Sequence, residues 1–100
     1  MKSKIIAAAK KKILFLPHAI KQMSRPDKMI STDEIREAIF SGEIIEAYPE
    51  DQRGESCLLL YIKKHRAIHV VCSPKSEYLA VITAYLPALD QWSADFRVRK

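Results

Sequence analysis

One hundred residues set an upper bound of one small domain, and 48% apolar composition with only two glycines fits a packed core rather than a disordered chain. Seventeen Lys and Arg against twelve Asp and Glu leave a formal net charge of +5, which favours an anionic partner such as RNA, DNA or an acidic protein surface. Cys57 and Cys72 lie in apolar runs and make no CxxC pair, which argues against a zinc ribbon or disulfide scaffold and for a reducing, cytoplasmic setting.

Taken in chain order, Lys2 to Lys12 holds residues that a helix tolerates, with Ile5, Ile6, Ala9 and Ile13 spaced as one stripe, and predicts a short basic helix. Its apolar run, Ile5 to Ala9, is too short to cross a membrane and poorly shaped for a signal peptide, so no membrane partner is expected. Ile13 to Leu16 reads as an extended link. Pro17 suits the first position of a second helix, where its missing N–H costs nothing, and Pro26 in SRPDK ends that helix. Ser31 and Glu34 stand at capping-box spacing and open a third helix with Ile35, Ala38 and Ile39 on its buried stripe, closed by Ser41-Gly42.

After Gly42 the period turns extended, predicting four strands at Glu43–Tyr48, Ser56–Lys63, Arg66–Cys72 and Tyr78–Leu86. The connections PEDQRGE, KKHR and SPKSE are charged or turn-forming, so consecutive strands are expected to pair. In the tail, Trp92 and Phe96 stand four apart and predict a short helix, followed by basic RVRK. The expected fold is one α+β domain over residues 1–100. N-terminal helices pack on one face of a four-stranded antiparallel meander sheet, a short C-terminal helix follows, and the other sheet face is left for a site.

His18 follows Pro17 at a helix start, where a neutral imidazole is able to take a proton. Lys21, Gln22 and Arg25 share its polar face, opposite Ala19, Ile20 and Met23. A base, an amide and two cations suit cleavage of a phosphodiester, in which a 2′-OH loses its proton and the pentacovalent phosphate needs stabilising. The plain alternative is a half-buried histidine bonded to a loop carbonyl, with solvated charges around it. His69 interrupts Ala67-Ile68-His69-Val70-Val71. If Ser73 to Glu77 is the loop, His69 pairs with Val81, and His69, Thr83 and Tyr85 line one sheet face; a one-residue slip separates them. Here the alternative is a satisfied histidine in an apolar strand. His65 and His69 have H-x3-H spacing, but four residues of strand span about 13 Å, too far for one ion. No metal or other cofactor is expected.

The blocks PHAIKQM, ISTDEIREAIFSGEIIEAYPED, CLLL, IHVV and VITAYLPALDQW together resemble a bacterial family known as domain of unknown function 4258, over Pro17 to Arg99. The resemblance implies a small toxin-type domain related to the barnase, colicin E5 and RelE group of metal-independent ribonucleases. It also implies an antitoxin-like partner with zinc-finger and helix-turn-helix parts. It directs attention to His18-Ala19, to His69-Val70-Val71 and to Ile82-Thr83-Ala84-Tyr85. This chain departs from the family pattern at Gln22, where many relatives carry arginine; the lost cation weakens phosphate binding there unless Lys21 or Arg25 substitutes.

The first expected function is therefore a toxin-like, metal-independent endoribonuclease of a toxin–antitoxin pair. His18 serves as general base or acid, His69 as its proton-transfer partner, Arg66 or Lys21 holds the scissile phosphate, and Thr83 and Tyr85 position RNA. Products would be a 2′,3′-cyclic phosphate and a 5′-OH. The second is a non-catalytic basic module that binds nucleic acid or an acidic partner protein, its two histidines supporting the fold. A homodimer formed through a free edge strand is a third expectation.

Overall fold

The capping box at Ser31 is formed in the computed structural model, which describes all 100 residues: the Glu34 N–H donates to Ser31 Oγ at 3.1 Å and the Ser31 N–H to Glu34 Oε1 at 3.0 Å. The elements run α1 (Lys2–Lys11), β1 (Ile13–Phe15), α2 (Pro17–Met23), α3 (Thr32–Ser41), β2 (Glu43–Tyr48), β3 (Ser56–Lys63), β4 (Arg66–Pro74) and β5 (Leu79–Tyr85). Pro17 occupies the first turn of α2, as its ring geometry favours. The β3–β4 hairpin turns through Lys64 and His65, both with positive φ, which matches the twist of the paired strands.

The sheet corrects the four-stranded meander. It has five strands in the order β1-β5-β4-β3-β2, and β1 lies parallel to β5 while the other neighbours are antiparallel. The extended link is the fifth strand: the Leu79 N–H donates to the Lys12 carbonyl at 2.8 Å and the Leu16 N–H to the Val81 carbonyl at 3.0 Å. Three apolar residues carry no period of their own, and their partner lies more than sixty residues away, so local pattern does not announce the pairing.

The C-terminal helix is also corrected. Residues after Tyr85 form turns and one antiparallel bridge, Trp92 to Arg99. Ser93 and Asp95 set this shape. Asp95 accepts from Ser93 Oγ at 2.6 Å and from the Arg97 N–H at 3.1 Å, Ser93 Oγ accepts from the Val98 N–H, and Phe96 takes positive φ. Such side-chain bonds to nearby backbone compete with a helix and win here.

All three helices cover one sheet face. Ile5, Ala8 and Ala9 of α1, Ala19 and Met23 of α2, and Ile35, Ala38 and Ile39 of α3 form one core with Cys57, Leu59, Ile68, Val70, Cys72, Leu79, Val81 and Ala84. The other face, expected to be open, is covered by the C-terminal segment, with Trp92 only 2% exposed against it.

Two β-bulges decide what that second face contains. Ile44 pairs with Leu59 and Glu46 with Leu58, leaving Ile45 unpaired; Cys72 pairs with Val81 and Val71 with Thr83, leaving Ile82 unpaired. Ile44, Val81 and Ala84 sit on the helix side of the sheet. Each extra residue therefore turns the following side chains over. Glu46, Thr83 and Tyr85 consequently share the face of His69, away from the helices. His69 pairs with Tyr85, not Val81.

Candidate functional site

His69 lies at the centre of the tail-covered face and is fully buried. A carbonyl only accepts, so its Nε2–H donates to the Phe96 carbonyl at 2.9 Å. That choice leaves Nδ1 as the acceptor for the Tyr85 hydroxyl at 3.2 Å. The ring meets Trp92 edge-on at 4.4 Å between centroids and Tyr85 at 5.2 Å. Arg99 stacks over Trp92 at 4.7 Å and makes two hydrogen bonds to Glu46, at 2.9 and 3.0 Å. Glu46 also accepts from the Tyr48 hydroxyl. Arg97 pairs with Glu43 further along β2.

Burial shapes the acid–base character of this cluster. It holds the His69 imidazole below the ordinary histidine value, opposed by the Phe96 carbonyl and the Glu46 charge. It pushes the Tyr48 phenol up to about 12 and raises Tyr85 as well. The Arg99 hydrogen bonds keep the Glu46 carboxylate ionised below its ordinary range. As pH falls past the ordinary histidine value of 6.5, the unfolded chain takes up a proton before the folded chain does. Stability present above that pH is lost as pH falls through the folded value, and Glu46 adds a further loss below 4.5. The urea midpoint of the wild type is expected to drop between about pH 7.5 and about pH 5.5, and His69→Gln to remove most of that drop.

The other candidate residues lie elsewhere. His18 is exposed on α2, whose Ala19 and Met23 face the helix-side core, so the two candidate histidines stand on opposite sides of the sheet. Lys21 and Arg25 are exposed beside His18, and Gln22 is half-buried. Arg66 is taken up by structure: its Nε donates to Glu34 at 2.7 Å and its Nη2 to the Met29 carbonyl, tying the start of α3 to β4. Thr83 is half-buried beside Val71, on the His69 face. His65 sits in the β3–β4 turn, outside any metal-competent cluster. Glu46, Trp92 and Arg99 belong to the His69 cluster although their spacing in the sequence does not reveal it. The paired occurrence of EIIE with RVRK was the available signal, and it is a weak one.

Charge is segregated along the fold. Residues 1–28, which make α1, β1, α2 and the turn after it, hold eight Lys or Arg against Asp27 alone; residues 29–100 hold nine against eleven acids. The excess positive charge of the protein therefore resides in the first three elements. Beside them, an apolar groove of about 380 Å³ is lined by Phe15, Ile20, Met23, Met29 and Ile30, with Ile20 and Met29 more than half exposed.

The family model for domain of unknown function 4258 matches residues 15–86. The chain belongs to this family. No curated protein and no solved structure matches it. The DUF4258 match opens on Phe15, the last residue of β1, and closes just past β5, so it includes α2, α3 and strands β2 to β5. It leaves out α1 and the segment that covers His69. No helix is long and apolar enough to cross a membrane.

Proposed function

We propose that this DUF4258 protein is a non-catalytic basic interaction module whose α1–β1–α2 layer binds RNA. The observation that carries this reading is the concentration of unpaired cations, Lys10, Lys12, Lys21 and Lys28, within residues 1–28, which hold a single acid. Phosphate neutralisation by such a layer gives sequence-tolerant, salt-dependent affinity. A titration of labelled single-stranded RNA at several salt concentrations tests it. Replacing Lys10, Lys12 and Lys21 with glutamine is expected to weaken binding and to reduce the slope of log K against log salt by about 2. An unchanged affinity and slope would remove the reading.

The toxin-like ribonuclease is the second reading, and the exposure of His18 next to Lys21 on this layer is what favours it. Its proton-transfer partner cannot be His69, whose two nitrogens are engaged on the far side of the sheet. The same RNA, held with chelator and analysed for cleavage, separates the two: cleavage lost in His18→Ala supports catalysis, and intact RNA supports the module. An acidic protein, including an antitoxin-type partner, is the other anionic ligand class. The apolar groove beside Lys21 would give it a second point of attachment.

A further inference from the structure

Cys57 and Cys72 stand directly opposite each other on β3 and β4, both fully buried, with their sulfurs 4.0 Å apart. Directly opposed residues of an antiparallel pair have Cα atoms about 4.5–5.5 Å apart, inside the window of about 4.4–6.8 Å that a disulfide tolerates. Side-chain rotation with a small approach of the two strands can therefore close the gap. We propose that this pair is a redox site, oxidised by hydroperoxides to a cross-strand disulfide beneath α1.

The surroundings assign different roles to the two thiols. The hydrogen bond to Cys72 and the Lys2 ammonium favour the Cys57 thiolate against its burial, so Cys57 takes the first step. Cys72 is held as the thiol by that bond and by burial. The Cys57 thiolate attacks one peroxide oxygen, the O–O bond breaks, and the leaving hydroxide or alkoxide takes up the proton that Cys57 released. Cys57 is then a sulfenic acid. The Cys72 sulfur attacks the Cys57 sulfur, the S–O bond breaks, and the Cys72 proton leaves with the hydroxyl as water. Each sulfur loses one electron and the peroxide gains two.

Access is through the first turn of the helix above. Ile5, Ala8 and Ala9 of α1 share the core with both cysteines. The first turn of α1 carries Lys2 and Lys4 and no acid, and Met1 supplies no side-chain cap. Cations at a helix N-terminus oppose its dipole, and the turn is held by the Lys2 bond to the Gly42 carbonyl and the Lys4–Glu55 ion pair, so a peroxide enters when this turn opens against those two contacts.

The test treats the full chain, folded, with a small excess of hydrogen peroxide, then quenches and alkylates it in denaturant. A loss of about 2 Da with both thiols protected, reversed by a dithiol reductant, is the expected result. Cys72→Ala is expected to stop at a Cys57 sulfenic acid that a dimedone probe captures. Cys57→Ala, in which the resolving thiol stands alone, is expected to react far more slowly. Addition of oxygen atoms without the 2 Da loss, crosslinking between chains, or reaction only after unfolding would each overturn the proposal.

Discussion

Replacing Trp92 with alanine is expected to destabilise the fold by about 3–5 kcal/mol, the range typical of a buried aromatic truncated to a methyl. Trp92 is 2% exposed, packs edge-on against His69 and lies beneath Arg99. Its loss uncovers the second face of the sheet, where Leu58, Leu60, Ala67 and Ile82 are buried. The polar contacts of the same segment contribute much less. Arg97 and Arg99 are about half exposed, and ion pairs of that kind are worth roughly 0–1 kcal/mol. Arg99→Ala is therefore expected to shift the urea midpoint only slightly. Denaturation of the two variants side by side distinguishes an apolar anchor from an electrostatic one; equal losses would contradict the assignment.

Gly42→Ala is expected to cost on the order of 1–3 kcal/mol, as overpacking does in a filled core. The backbone of Gly42 is extended, with φ −75° and ψ 171°, so any residue can adopt it. Space is what the position lacks. A Cβ there would meet the carbonyl oxygens of Ala38 and Leu60, the latter at 2.8 Å, and neither is a flexible side chain that can swing aside. The Gly42 carbonyl also accepts from Lys2 Nζ, so displacement at this point is passed to the start of α1. Thermal unfolding of Gly42→Ala measures the loss, and a midpoint equal to wild type would show that α3 can retreat from β3.

Much of this architecture was legible because it rests on local signals. Pro17, the Ser31–Glu34 capping box and the alternating strands after Gly42 each act within a few residues, and each element formed where those residues put it. The parallel pairing of β1 was not legible, since Ile13-Leu14-Phe15 is stabilised by a partner more than sixty residues on. The tail misled because spacing four apart suits a helix, whereas Ser93 and Asp95 bond locally and stop one. For the site, the grouping of His69, Thr83 and Tyr85 on one face was reached through an incorrect pairing. An unforeseen bulge at Ile82 restored the facing. That His18 stands apart from them follows from which layer α2 joins, and no motif encodes that.

The bulges also bear on how relatives of different length relate to this chain. Deleting Ile45 or Ile82 would close the ladder into regular pairing, with Glu46 still opposite Leu58 and Thr83 still opposite Val71. Every other side chain would keep its face. A one-residue gap between homologues thus belongs inside β2 or β5, where alignments ordinarily forbid it. Forcing that gap into the neighbouring loop would exchange core and surface positions along half a strand.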